Sequence, residues 1–297
     1  MKLWFIELWF IKLWFIKKSM RFIRLKQIFL LGLVLTACAT PGQRVDQLAA
    51  KYGFERKIVN SEKFKHVVYF NPAFKKPASE LKNSQGALSL HVYIEGDGSP
   101  WLQRQVVAAD PTPRNPLALK LMAQDNQPSV YIGRPCYFGL SRSQSCNPLL
   151  WTHQRYSQEI VDSIVEVANK IIIEHGSERV MLVGYSGGGV LAMLMAENVL
   201  QIDAIVTIAA NLDIDAWAIL HNYSILEGSI NPATQPPLRH EIHQWHLVGK
   251  EDENVPPGLV QRVIDKQMDT TKLVSFDGFD HICCWLEQWP TTLLTIQ

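Results

Sequence analysis

Residues 179–188 read RVMLVGYSGG, a short apolar run that leads into a serine flanked by glycines. A continuous apolar run of this length is typical of a strand buried on both faces of a parallel sheet. Residues 190–200 follow with the composition of a helix. We therefore predict a strand, a sharp turn that carries Ser186, and a helix. Side chains at positions 184 and 188 would collide with such a turn, so both positions require glycine.

The same alternation of strand and helix extends through the rest of the chain. Strands that alternate with helices of ten or more residues predict an α/β protein with a doubly wound, mostly parallel sheet flanked by helices. We predict one such domain over residues 61–297, with no large lid domain, because only about thirty residues separate the strands near 210 and 243. The predicted strands are 66–70, 88–94, 129–132, 179–183, 204–209, 243–248 and 272–276, and the predicted helices are 154–175, 190–200, 258–268 and 282–296.

Two loops downstream of Ser186 carry the residue types that a nucleophilic serine requires. Such a serine needs a base, and the base needs an acid that orients it. The strand that ends at Gly249 is followed by Lys-Glu-Asp252-Glu-Asn-Val-Pro, and the strand that ends at Phe276 by Asp-Gly-Phe-Asp-His281. The order serine, acid, histidine is that of hydrolases built on a doubly wound sheet.

These motifs resemble the α/β-hydrolase superfamily over most of the chain after residue 60. The chain contains three patterns of the superfamily: Gly-x-Ser-x-Gly at 184–188, Gly-x-x-Asp-x-x-Val-Pro at 249–256 and Gly-x-x-His at 278–281. The resemblance implies that Ser186 is the nucleophile, His281 the general base and acid, and Asp252 the orienting acid. It implies no metal and no cofactor.

Other acids and histidines compete for these roles. Glu251 and Glu253 flank Asp252 but point elsewhere on a tight loop, and Asp213 and Asp215 follow an earlier strand, where some members of the superfamily place the acid. His240, His243 and His246 have a spacing of three that suggests a metal cluster. In a strand, however, an offset of three places two side chains on opposite faces. His221 is a further rival for the base.

The loop after the predicted strand 88–94 is the candidate for the second half of an oxyanion hole. It reads Glu95-Gly-Asp-Gly-Ser-Pro-Trp101 and resembles the glycine-rich loop of the superfamily, with Glu95 where histidine is common. The resemblance implies backbone donors at Gly187 and at Asp97, with Gly98 as the alternative. A carboxylate at 97 disfavours an oxyanion unless its side chain turns away.

The charge distribution separates the first 37 residues from the rest. Residues 1–37 carry seven basic residues and one acidic residue, whereas the remainder carries 22 basic and 27 acidic residues. A body with a net charge of −5 lacks the basic surface that general nucleic-acid binding needs, so that class of function is excluded.

The N-terminal region has the features of an export signal. Basic residues between 21 and 26 precede a short apolar run and the tetrad Leu-Thr-Ala-Cys38, which resembles the lipobox of bacterial lipoproteins. We therefore expect a signal segment over residues 1–37, lipid attachment at Cys38 and a tether over 38–60. Ala39 resembles the pattern sorted to the outer membrane in a Gram-negative cell. The LWFI repeat within residues 3–16 indicates that residues 1–19 are a spurious extension before Met20.

Four further cysteines remain in the exported chain. Cys136 and Cys146 flank a loop of nine residues, and an oxidising compartment would favour a disulfide between them. Cys283 and Cys284 leave three alternatives open: free thiols, a bond to each other, or a bond to a loop cysteine.

Together these features predict a membrane-anchored serine hydrolase that acts on an ester or related small acyl substrate. Esterase is the first choice, and peptidase, thioesterase and lipase stay open because the fold does not select the substrate. The alternative is a lipoprotein of the same fold that binds ligands without turning them over.

Overall fold

The computed structural model describes residues 39–77, 87–103 and 105–296. These residues form ten strands: β1 (Glu55–Asn60), β2 (Lys65–Phe70), β3 (Ser89–Ile94), β4 (Trp101–Leu102), β5 (Val106–Val107), β6 (Ser129–Ile132), β7 (Arg179–Tyr185), β8 (Ile202–Ile208), β9 (His243–Gly249) and β10 (Thr271–Phe276). They also form seven α-helices: α1 (Pro41–Lys51), α2 (Leu117–Met122), α3 (Gln158–His175), α4 (Gly187–Met195), α5 (Ile214–Leu220), α6 (Pro257–Ile264) and α7 (Trp285–Ile296).

Eight of the strands form one central sheet in the order β1-β2-β6-β3-β7-β8-β9-β10. β2 is antiparallel to both of its neighbours, and the pairs from β6 to β10 are parallel. β7 lies between β3 and β8, and its residues Val180, Leu182 and Val183 are fully buried. The doubly wound, mostly parallel sheet predicted from the sequence is therefore confirmed.

The segment before residue 61 differs from the prediction. The sequence predicts a tether over residues 38–60, but α1 and β1 occupy most of this range, and the compact unit begins at Thr40. Thr40 and Gln43 form a capping box at the start of α1, which satisfies backbone N–H groups that a helix end leaves free. β1 then pairs with β2 along its whole length. The predicted signal segment, residues 1–37, and Cys38 lie outside the described residues.

Helix boundaries shift where the sequence pattern extends past a turn. α4 begins directly after Ser186 rather than at 190, α3 begins after Ser157 rather than at 154, and α7 begins at Trp285. The sequence pattern does not predict the short helices α2 and α5. In the described part of the chain, no helix is both long and apolar enough to cross a bilayer.

Disulfide bonds join the four cysteines after Cys38. The predicted pair Cys136–Cys146 has an S–S distance of 2.05 Å. Cys283 and Cys284 are bonded to each other, one of the three alternatives that the sequence leaves open.

Candidate active site

Ser186 occupies the turn between the central strand β7 and helix α4. Its backbone angles are φ 51° and ψ −121°, a combination that a residue with a side chain rarely adopts. Its N–H donates to the carbonyl of Ile208, at the end of the neighbouring strand β8. The surrounding sheet thus holds Ser186 in a strained conformation at the carboxyl edge of the strands, where α/β sheets place their ligands.

The glycines on either side of Ser186 are required by close backbone approach. A Cβ at position 184 would lie 2.3 Å from the carbonyl oxygen of Gly188, and a Cβ at position 188 would lie 2.1 Å from that of Ile94. Both neighbours are backbone atoms, which cannot move aside as the end of a side chain can. A side chain would therefore collide with the backbone at both positions, as the sequence predicts.

Gly188→Ala is expected to destabilise the protein by several kcal/mol, because the new methyl group overlaps the end of β3. Thermal unfolding of the purified variant, together with its soluble yield, measures this effect. Gly258→Ala is the matched control, since a Cβ there meets nothing within 4 Å. Equal melting temperatures for the two variants would contradict the packing described above.

His281 links Ser186 to Asp252. Its Nε2 lies 3.1 Å from Ser186 Oγ, and its Nδ1 lies 2.8 Å from Asp252 Oδ2. Tyr185 donates a hydrogen bond to the His281 carbonyl and places its ring beside the imidazole. The structure thus brings together the three residues predicted from the sequence, although 95 residues separate Ser186 from His281.

Asp252 is held in one orientation by backbone donors. Its residue surface is 2% exposed, and its Oδ1 accepts hydrogen bonds from the N–H groups of Asn254 and Val255 at 2.9 and 2.8 Å. Oδ2 is left to accept from His281. This arrangement favours the imidazole tautomer with a proton on Nδ1, which leaves Nε2 free to accept the serine proton.

The competing residues lie elsewhere. Glu251 is exposed, and the Asn231 amide donates to both Asp213 and Asp215. Two of the remaining rivals are hydrogen-bonded elsewhere: His221 contacts the carbonyl of Asn254, and buried His246 contacts Thr207. The others are exposed at the surface: Glu253, His240 beside Glu241, and His243.

The candidate oxyanion donors lie next to the serine. Gly187 is the first residue of α4, so its N–H has no acceptor within the helix. A Cβ on Gly96 would come within 3.3 Å of Ser186 Cβ, which places the loop after β3 beside the serine. Asp97 and Gly98 of this loop line a cavity that Ser186 also lines. The donor roles of Gly187, Asp97 and Gly98 stay a prediction.

Comparison with solved structures places this arrangement in a known architecture. The chain resembles a serine hydrolase without a lid from Xanthomonas campestris (11% identity, TM-score 0.50, 82% of this chain and 94% of the other). It also resembles an esterase from Pyrococcus furiosus (14%, 0.51, 82% and 92%) and a membrane phospholipase A described as a bacterial virulence factor (13%, 0.55, 95% and 97%). The chain has the α/β-hydrolase fold. No protein-family model and no curated protein sequence matches it.

In this α/β-hydrolase fold, the stretch between β8 and β9 spans only residues 209–242. It is too short for a large lid domain, and the Xanthomonas structure is likewise described as lacking a lid. This stretch supplies Trp217, Tyr223 and Leu226 to a cavity of about 700 Å³ in front of Ser186. Trp101 lines it from the opposite loop, whereas Trp151 is buried and donates to the carbonyl of Ala108. A cavity of this size fits a small organic ligand.

The carboxylate of Asp97 is paired with two buried arginines and lies close to Gly187, where an added Cβ would meet Asp97 Oδ1 at 2.1 Å. Its oxygens accept from Arg134 at 2.6 Å, from Arg155 at 2.7 Å and from the Tyr156 hydroxyl. Burial alone would raise the pKa of Asp97, but the guanidiniums of Arg155 and Arg134 hold it at about 2. Sequence reasoning missed both arginines, because they lie 37 and 58 residues from Asp97 and no motif links them to it.

Glu95, at the position where histidine is common in the superfamily, points into the core. Its carboxylate accepts hydrogen bonds from the N–H groups of Gly96 and of Ala118 in the first turn of α2. Burial disfavours its charged form and raises its pKa to about 7, although the backbone donors oppose this shift. Glu95 therefore stabilises the loop before Asp97 rather than donating to an oxyanion.

The raised pKa of Glu95 predicts a pH-dependent stability. The folded protein holds a proton on Glu95 that the unfolded chain releases above its ordinary pKa of 4.5, so stability falls as the pH rises towards and past 7. Between pH 5 and pH 8, the free energy of unfolding of the wild type should fall by about 2–3 kcal/mol more than that of Glu95→Gln. Urea unfolding at several pH values measures this difference. Glu251→Gln, an exposed control, should follow the wild type, and parallel curves for Glu95→Gln would contradict the prediction.

Proposed function

We propose that this protein is a serine hydrolase that cleaves acyl esters through an acyl-enzyme at Ser186. The observation that carries the proposal is the hydrogen-bonded chain from Ser186 Oγ through His281 to buried Asp252, which begins at a strained turn in front of a cavity. A nucleophile, a base within hydrogen-bond reach and a third group that orients the base are the features of covalent acyl transfer.

Each residue has a defined step. Ser186 Oγ attacks the carbonyl carbon of the ester while His281 Nε2 takes its proton, and the Gly187 N–H with one donor of the loop after β3 stabilises the oxyanion. When the carbon–oxygen bond to the leaving group breaks, His281 returns the proton to the departing alcohol. Water activated by His281 then attacks the acyl-enzyme and releases the acid and free Ser186. Asp252 stabilises the imidazolium in both halves of the cycle.

A carboxylesterase is the activity that we expect first. The solved structures that resemble this chain include an esterase and a membrane phospholipase A, so the fold leaves the acyl group open. Peptidase, thioesterase and lipase activities are the other members of the same reaction class.

A fluorophosphonate probe and a panel of p-nitrophenyl esters of increasing chain length test the proposal. The wild type should be labelled covalently and should release p-nitrophenol with saturation kinetics. A wild type that is neither labelled nor active on any ester would instead favour the alternative, a lipoprotein that binds ligands on the same fold without turnover.

We also propose that the chain is exported and attached to the cell envelope through a lipid on Cys38, at the periplasmic face of the outer membrane in a Gram-negative cell. Supporting it are the basic and apolar segments before the Leu-Thr-Ala-Cys38 tetrad and the small residue Ala39 after it. The membrane would then be a partner of the protein, next to its small acyl substrate.

Cys38→Ser should prevent lipid attachment, because serine lacks the thiol that carries the diacylglycerol. In cells fed an alkyne fatty acid, the wild type should take up the label and partition into detergent, whereas the variant should do neither. Ala39→Asp should keep the label but shift the protein to the inner membrane. Label that persists in Cys38→Ser would refute the anchor.

A further inference from the structure

The cluster around Asp97 contains two guanidiniums for a single carboxylate. Arg134 and Arg155 each pair with Asp97, and the described residues place no other carboxylate within ion-pair distance of either arginine. The three side chains therefore carry a net charge of +1. Burial of a charge without a counter-ion is unfavourable. The described residues thus leave one positive charge beside the cavity without a counter-ion.

Both terminal nitrogens of Arg134 are hydrogen-bonded within the protein. Its Nη1 donates to Asp97 and its Nη2 to the carbonyl of Arg155, both at 2.6 Å. The rings of Tyr137 and Tyr156 lie 5.5 and 5.3 Å from its guanidinium carbon, which adds cation–π contacts. Arg134 is therefore fixed as a structural partner of Asp97.

Arg155 is only partly satisfied. Its Nε donates to the carbonyl of Thr152 and its Nη1 to Asp97, whereas its Nη2 has no partner among the described residues. Nη2 is not one of the buried polar atoms that lack a partner in the described part of the chain. Because it has no partner there, it must be accessible. Arg155 is 6% exposed and lines the cavity in front of Ser186. Arg155 therefore contributes to the wall of this cavity.

The other polar groups of the cavity agree with a negatively charged ligand. Arg114 adds a second basic side chain to the lining, while the lining carboxylates are Glu95, which accepts from backbone donors, and Asp97, which is paired twice. The lining therefore carries an excess of positive charge.

We propose that Arg155 Nη2 binds a second, negatively charged oxygen group of the substrate, so that the enzyme acts on acyl esters that carry a carboxylate or a phosphate group. This inference rests on the proposed serine hydrolase function. Arg155 is a specificity-determining residue in this scheme and takes no part in the bond-breaking steps. A guanidinium that binds an oxyanionic group forms charge-assisted hydrogen bonds, which are about twice as strong as neutral ones.

Three p-nitrophenyl esters with the same leaving group test the proposal: the pentanoate, the glutaric acid monoester and the 4-phosphonobutyrate. For the wild type, kcat/KM should be roughly tenfold or more higher for at least one charged ester than for the pentanoate. The carboxylate and phosphonate arms show which anion the site prefers. A wild type that hydrolyses the pentanoate as well as both charged esters would overturn the proposal and leave the hydrolase function intact.

Two variants that break the same ion pair should shift this preference in opposite directions. Arg155→Gln removes the excess charge and should abolish the preference, whereas Asp97→Asn raises the excess to +2 and should increase it. General loosening of the site would lower the rates with all three esters in both variants, and so cannot produce opposite shifts. Arg155→Lys should retain part of the preference.

Arg262→Gln is the matched control, because it changes the net charge equally on an exposed face of α6. Its preference should equal that of the wild type. Preferences that move in the same direction in Arg155→Gln and Asp97→Asn would overturn the proposal. If either variant fails to fold, inhibition of pentanoate hydrolysis by glutarate and by methyl phosphate, at constant ionic strength, tests the anion site in the wild type. Inhibition no stronger than that by chloride would also overturn the proposal.

If the wild type hydrolyses none of the esters, the proposed function fails while the anion site is still tested. Trp101 and Trp217 line the cavity, so their fluorescence reports binding directly. Saturable quenching by glutarate or methyl phosphate in the wild type, lost in Arg155→Gln and kept in Arg262→Gln, would support an anion site on a protein without ester hydrolase activity. Absence of saturable quenching would overturn it.

Discussion

Ser186→Ala is expected to lower kcat for ester hydrolysis by about 10⁴-fold or more and to abolish fluorophosphonate labelling. The variant lacks the only atom that forms the covalent bond in the proposed cycle, while the cavity that binds the substrate is unchanged. KM should therefore change little in comparison with kcat. Active-site titration and steady-state kinetics on a short-chain p-nitrophenyl ester measure both effects.

Ser224→Ala is the matched control for this experiment, because Ser224 lines the same cavity as Ser186. It should retain labelling and most of the activity. Thermal unfolding should show both variants folded. A Ser186→Ala protein that keeps most of its turnover would refute the assignment of the nucleophile.

Asp252→Asn is expected to lower kcat by up to about 10⁴-fold with little loss of stability. An amide at this position can offer an N–H instead of an acceptor to His281 Nδ1. The imidazole would then carry its proton on Nε2, and it could no longer accept the proton of Ser186. Stopped-flow or steady-state rates of p-nitrophenol release measure the loss.

Asp213→Asn provides the comparison for Asp252→Asn. Asp213 caps α5 through the N–H of Ala216 and accepts from Asn231, so its replacement should affect stability rather than kcat. If Asp213→Asn abolished turnover and Asp252→Asn did not, the acid would lie after β8 instead of after β9.

The parts of the fold that the sequence predicts are those in which local composition and backbone geometry agree. The turn at Ser186 is recognisable because only glycine fits at 184 and 188, and β7 because its apolar run is buried on both faces. Asp252 and His281 could be found because each follows a strand of the same sheet, and parallel strands end at the same edge.

Other parts depend on contacts that no local pattern encodes. β1 reads as a polar segment, since most of its residues are at the surface, and its pairing with β2 decides its structure. The two arginines that neutralise Asp97 come from distant loops, so their contact exists only in the folded chain. The start of α1 is different: its capping residues Thr40 and Gln43 are visible in the sequence and could have identified the helix.

The Cys136–Cys146 bond has a practical consequence for preparing the protein. The cross-linked loop begins two residues after Arg134 and includes Tyr137, whose hydroxyl donates to the carbonyl of Asp97. We expect material produced in a reducing cytosol to lack this cross-link beside the cavity. Rates measured on such material should therefore differ from those measured after periplasmic or oxidative expression.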